Sequence, residues 1–264
     1  MKLEGRTALL TGATGGLGCA IAAELAGRGA TLILSARDQG DLDQLAGSLR
    51  GDAHRAIAAD LLGDGEVERL MGEAGAHDVL IANAGIGGGE AIEDDDHDAI
   101  ARVVRLNVEV PAQMAASSLA TMVPRDEGHL VFISSLAGKV IPSGSALYAA
   151  TKAGLRAFAL GLADDLSDSG VDVSSIYPGF VRDAGMFADS GAKPPPGIGT
   201  ASPQDVADAV ADAIEEERRE ADVAPLQQRS FANFAFHFHS LSARMERAAG
   251  TTDFVKRVKR RSGG

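Results

Sequence analysis

The chain has 264 residues, 45% hydrophobic and 23% charged, enough apolar material for one sizeable core and consistent with a single α/β domain. A formal charge of −12 argues against a nucleic-acid binder, because phosphate contacts need a basic face. The single cysteine, Cys19, excludes an internal disulfide, and no apolar run approaches the ~20 residues that span a bilayer. With no signal peptide ahead of the first strand pattern, a cytoplasmic protein is expected.

In chain order, strand-like runs fall at Arg6–Leu10, Thr31–Ser35, His54–Ala59, Val79–Ala82, Leu130–Ser134, Val171–Ile176 and Asp222–Ala224. Helical periodicity fills Leu17–Ala26, Leu42–Leu49, Val67–Ala74, Ala99–Met122, Leu147–Leu166 and Pro203–Arg218. Near-continuously apolar strands alternating with helices predict a doubly wound α/β fold. Its parallel sheet is covered on both faces, with ligands at the carboxyl ends of the strands. Asp94-Asp95-Asp96 reads as a solvated helix N-terminus, and Ser202-Pro203-Gln204-Asp205 as a capped helix start. Asp183–Thr200, with Lys193-Pro194-Pro195-Pro196-Gly197, breaks the alternation and reads as a mobile loop or lid, the alternative being a plain connector.

The first strand runs into Thr11-Gly12-Ala13-Thr14-Gly15-Gly16-Leu17-Gly18 and then a helix. Glycines at 12, 16 and 18 allow a tight turn, close approach of backbone to pyrophosphate, and close helix–strand packing; the helix N-terminus then faces the phosphates. After the second strand, Ala36 occupies the place where an NAD-preferring fold needs a carboxylate, and Arg37 follows. A guanidinium fork suits a 2′-phosphate, which favours NADP(H). The alternative is a plain surface Arg37, with Asp38 serving the ribose of NAD(H).

Tyr148 and Lys152 stand four residues apart in a helical stretch, hence on one face. Ser135 ends a strand 13 residues earlier. Tyr ordinarily titrates near ~10, a poor base at neutral pH, and a nearby ammonium and a cationic nicotinamide are both expected to favour the phenolate and lower that value. Alone, the Tyr/Lys pair reads as a surface pair.

Together with Asp60-Leu61, Asn83-Ala84-Gly85, Asn107 and Pro178-Gly179, these motifs resemble the short-chain dehydrogenase/reductase family from about Leu3 to Pro225. The resemblance implies a Rossmann-type sheet of about seven strands in the order 3-2-1-4-5-6-7, with helices on both faces. It implies hydride transfer between a nicotinamide dinucleotide and a ketone or secondary alcohol, in a homodimer or homotetramer. Its catalytic set would be Asn107, Ser135, Tyr148 and Lys152. Tyr148 would move the proton, Ser135 would bond the same oxygen, Lys152 would hold the ribose, and Asn107 would hold a water leading to Lys152. Cofactor contacts would come from Gly12, Thr14, Gly16, Leu17, Gly18, Arg37, Asp60, Leu61, Asn83, Ala84, Gly85, Lys152, Pro178, Gly179 and Val181. Where the family commonly has Thr after Pro-Gly-x-Val-x, this chain has Asp183, an acceptor without a hydroxyl proton. A cofactor-binding sensor or scaffold without turnover is the rival class.

Leu136, Val140, Ile141, Leu147, Phe180, Met186 and Phe187 predict an apolar substrate region. Residues 226–264 read as an extension to a domain of residues 1–225. Phe231, Phe234, Phe238, Leu241 and Met245 form an apolar helical stripe, expected to pack on the protein itself or a partner subunit. The extension carries eight Lys/Arg against Glu246 and Asp253, including Lys256-Arg257 and Lys259-Arg260-Arg261. Contact with an anionic membrane surface, and with it a lipid-carbonyl substrate, is the less favoured reading. His237 and His239 have no evident third ligand, so no metal site is expected.

Overall fold

The computed structural model describes residues 1–87, 92, 96–140, 144–189, 199–238, 240–242 and 244. Seven parallel strands form one sheet in the order β3-β2-β1-β4-β5-β6-β7: β1 Thr7–Thr11, β2 Thr31–Ala36, β3 Arg55–Ala58, β4 Val79–Ala82, β5 Gly128–Ile133, β6 Val171–Pro178 and β7 Glu220–Val223. The strand order is the one the family resemblance implies. Odd and even positions of each strand bury different faces. Ala8 and Leu10 of β1 join Val131 and Ile133 of β5 in one core, whereas Leu9, Leu130 and Phe132 join the other. The first core is covered by α1 (Gly16–Gly27), α2 (Gln39–Ser48) and α8 (Pro203–Glu216). The second is covered by α3 (Glu66–Ala74), α5 (Val110–Arg125) and α6 (Ala146–Asp165). With apolar residues needed on both faces, the strands lose the polar alternation of a half-exposed sheet.

The run expected as one helix over Ala99–Met122 is two. α4 (His97–Val104) and α5 are separated by a π-helical turn at Arg105–Glu109. Pro111 supplies the local cause, since it has no N–H to give the Asn107 carbonyl and its ring crowds that oxygen. Asp96 caps α4, accepting from Ala99 N at 2.6 Å; Asp94 and Asp95 lie outside the described residues. Ser202 and Asp205 form the reciprocal capping box at the start of α8.

Part of the segment read as a loop is a short helix, α7 (Gly185–Asp189); residues 193–197 lie outside the described residues. The last described helix, α9 (Leu226–His237), carries part of the expected apolar stripe, with Phe231 and Phe234 half-buried. Its buried positions are Ala232 and Ala235, while Phe238 and Leu241 are 57% and 50% exposed. The small alanine face lets the helix come close to Leu136 and Tyr177, which the phenyl rings would hold apart. Met245, His239 and the basic residues 256–261 lie outside the described residues. Among the described residues, no helix is long and apolar enough to cross a membrane and no group of side chains could hold a metal ion.

Candidate active site

The parallel sheet delivers the ends of β1, β2, β4, β5 and β6 to one edge, and the residues singled out in the sequence lie there. Gly12 has a φ of 61°, and a side chain on it would stand 3.0 Å from Ala84 Cα. A side chain on Gly18 would collide with the Gly12 carbonyl, so glycine there is what lets α1 pack on the turn. Gly15 and Gly16 are exposed at the start of α1, Thr14 and Leu17 are half-buried, and a helix N-terminus of this kind suits an anion.

Asn83 braces this turn: its Nδ2 donates to the Thr11 and Gly12 carbonyls at 2.9 and 3.1 Å. Thr11 Oγ1 accepts from Asn83 N and Ala84 N. At the end of β2, Asp38 serves as N-cap of α2, accepting from Asp41 N at 2.8 Å. Arg37 is exposed, and no described carboxylate pairs with it. Asp60 is exposed beyond β3, its Oδ1 accepting from Leu62 N at 3.1 Å, and Leu61 is buried behind it.

Ser135 caps a single 3₁₀ turn, Leu136–Gly138, just past β5. Its Oγ accepts from Ala137 N at 3.1 Å and donates to the Pro178 carbonyl at 3.4 Å. It also shares a hydrogen bond with the Tyr148 hydroxyl. Lys152, 4% exposed, lies one turn further along α6 with its Nζ 5.8 Å from the Tyr148 ring. That Nζ donates to the Ile133 carbonyl at 2.8 Å. Gly85 makes the space beside it, because a side chain there would stand 3.4 Å from Nζ and 3.2 Å from Asn107 Oδ1.

Burial pushes the Tyr148 phenol up to about 12, and the Ser135 hydrogen bond offsets only part of that. Burial also brings the Lys152 ammonium down to about 8. Desolvation penalises both charged forms, the phenolate and the ammonium alike.

Asn107 is fully buried and its side chain is spent on structure. Oδ1 accepts from Ile86 N at 2.9 Å, while Nδ2 donates to Ile86 O at 2.8 Å and to Thr151 Oγ1 at 3.1 Å. It locks the π turn to the loop after β4 and to α6. Asp183 takes a left-handed backbone with φ 68°, and its exposed carboxylate pairs with Arg182 at 3.4 Å.

Three contributors carried no signal in the sequence. Ser134 Oγ donates to the Lys152 carbonyl at 2.9 Å, fixing the strand end to the helix that carries Tyr148. Ala184 lies over Gly16 so closely that a side chain on that glycine would collide with it. Gln228 reaches from α9 to the Pro178-Gly179 turn. Of the expected substrate wall, Leu136 is core with Tyr177, Val140 packs on that cluster, and Phe180 and Phe187 stack with ring centroids 4.9 Å apart. Ile141 and the Met186 side chain lie outside the described residues.

A glycine-rich turn, a half-buried Ser/Tyr pair beside a buried Lys, and a seven-stranded parallel sheet define an NAD(P)-dependent dehydrogenase or reductase. The short chain dehydrogenase family model matches residues 6–195, and the chain belongs to that family. It is 34% identical over 224 residues to the ketoacyl reductase HetN of Nostoc sp., covering 83% of this chain and 78% of that one. An uncharacterized oxidoreductase of Myxococcus xanthus is 38% identical over 191 residues, covering 69% and 74%. Among solved structures, a short-chain dehydrogenase from Sphingobium yanoikuyae in complex with NADPH superposes with a TM-score of 0.76. It shares 29% identity over 90% of this chain and 95% of that one.

Proposed function

We propose that this chain is an NADP(H)-preferring enzyme that interconverts an apolar ketone and its secondary alcohol. The observation that carries the reading is the convergence of the Ser135 hydroxyl, the Tyr148 hydroxyl and the Lys152 amine beside the glycine-rich turn. The residues fit a dinucleotide. Side-chain-free backbone at Gly12, Gly15 and Gly16 meets the pyrophosphate, the space beside Gly85 and Lys152 takes the ribose, and Asp60 meets the adenine. The unpaired Arg37 meets a 2′-phosphate. Bound there, the nicotinamide supplies or accepts the hydride.

The chain's own residues do the rest. Ser135 Oγ turns its proton from the Pro178 carbonyl to the substrate oxygen, as Ala137 N holds the same Oγ in place. Tyr148 Oη gives its proton to that oxygen in reduction and takes it back in oxidation. Lys152, already near neutrality in its proton affinity, bonds the ribose and refills Tyr148. Asn107 holds the π turn, and with it the Lys152 environment, in one arrangement. Phe180 and Phe187 give the substrate region its apolar wall. The structures solved with NADPH and with NADH both resemble this chain, so the preference rests on Ala36 and Arg37.

Absorbance decay of NADPH and NADH with a panel of ketones, including 3-ketoacyl thioesters, tests this. The expected result is turnover with NADPH that Tyr148→Phe abolishes. NADPH binding without turnover, indifferent to that substitution, would instead identify a sensor.

A further inference from the structure

We propose that Gln228 is a positioning residue of the active site. Its one amide ties the departing and returning ends of the segment between Phe180 and Gly199, and so sets the Pro178-Gly179 turn against Ser135. This rests on the reading above for the role of Ser135; the tie itself does not.

The amide works at both ends. Oε1 accepts from Phe180 N at 3.2 Å, and Nε2 donates to the Gly199 carbonyl at 2.5 Å. Between those two ends runs an isolated parallel bridge, Val181 to Ala201, with Arg182 N to Ala201 O and Ala201 N to Phe180 O each at 2.9 Å. The bridge is too short to fix its own position, and the side-chain amide extends it by a further link on each chain end. Gly179 shows how tightly the tie is fitted: a side chain there would collide with Gln228 Oε1. On its other side the turn is held by Gly179 N donating to the Val223 carbonyl at 3.0 Å.

The consequence reaches the chemistry in two residues. Pro178, next before Gly179, carries the carbonyl that accepts from Ser135 Oγ. Beyond Arg182 the same segment brings Ala184 over Gly16. One amide therefore holds the turn that faces Ser135 and the start of the stretch that brings Ala184 over Gly16. A side-chain amide suits this because it donates and accepts at once; a carboxylate accepts only.

The test uses the full chain as wild type, Gln228→Ala and Gln228→Glu. Amide hydrogen exchange at Phe180 is expected to be about tenfold faster in the alanine variant, the loss of one ordinary hydrogen bond. It stays near wild type in the glutamate variant, which keeps the acceptor, while exchange at Ala201 quickens in both. In steady state with NADPH and a ketone that is turned over, kcat/KM for the ketone is expected to fall about tenfold in the alanine variant. Only two tyrosines are present, so the carbon-13 ring resonance of Tyr148 reports the Ser135 contact without turnover, and it is expected to shift in the alanine variant. Unchanged Phe180 exchange in Gln228→Ala would overturn the tie. Faster exchange with the Tyr148 resonance unmoved, or with kcat/KM unmoved, would overturn the positioning role. A wild type inactive on every ketone, but with faster Phe180 exchange and the resonance shift present in the alanine variant, would defeat the proposed function and leave the tie and its hold on the Ser135 contact standing.

Discussion

Replacing Lys152 with Met is expected to make the fold more stable at neutral pH while abolishing turnover. The ammonium is 4% exposed, and burial lowers its pKa from 10.5 to about 8. That displacement corresponds to about 3 kcal/mol by which the protonated amine destabilises the folded chain. Because the folded state binds this proton more weakly than the unfolded chain, stability rises with pH between about 8 and 10.5, where only the unfolded chain still holds it. Met fills a similar volume without charge but forfeits the bond to the Ile133 carbonyl, worth about 1 kcal/mol. The variant should therefore lead wild type by about 2 kcal/mol below pH 8 and trail it by about 1 kcal/mol near pH 10.5. Urea denaturation of both proteins at a series of pH values measures the difference directly. A variant less stable than wild type at pH 7, or a difference that stays flat from pH 7 to 10, refutes the reasoning. The wider meaning is that an amine kept in the site for chemistry weakens the fold that holds it.

Three further outcomes follow from single contacts. Arg37→Ala should raise KM for NADPH by about ten- to a hundredfold and leave that for NADH nearly unchanged, as one charge-assisted contact with a 2′-phosphate is lost; equal changes would remove the basis for NADP(H) preference. Asn107→Ala strips partners from Ile86 N, Ile86 O and Thr151 Oγ1. A stability loss of about 2–4 kcal/mol by urea unfolding is expected, and a loss under about 1 kcal/mol would show that the π turn is held by Pro111 alone. Ser202→Ala breaks the capping box of α8 and should lower stability by about 1 kcal/mol, seen as a Tm about 2–4 °C lower with kcat unchanged.

The amino-acid order alone pointed to the parallel sheet, because central strands buried on both faces read as near-continuous apolar runs and the helices between them must cover those faces. It also placed Tyr148 and Lys152 one helical turn apart, and Gly12 and Gly18 where only backbone fits. Each of those is a relation between neighbours in the chain. Ser135 was legible through its position at a strand end, as was Ser202 through its spacing from Asp205.

Tertiary structure decided what depends on partners far along the chain. The break at Asn107 joins Pro111 to contacts with Ile86 and Thr151, 21 and 44 residues away. Gln228 is an unremarked polar residue until Phe180, 48 residues distant, meets it. Which residues of α9 lie deepest was also beyond periodicity: Ala232 and Ala235 are buried while Phe231 and Phe234 are half-buried, because close helix approach rewards small side chains. The charge state of the site could not be read from residue types either. Burial raises the pKa of Tyr148 and lowers that of Lys152, and depth of burial is a property of the folded molecule alone.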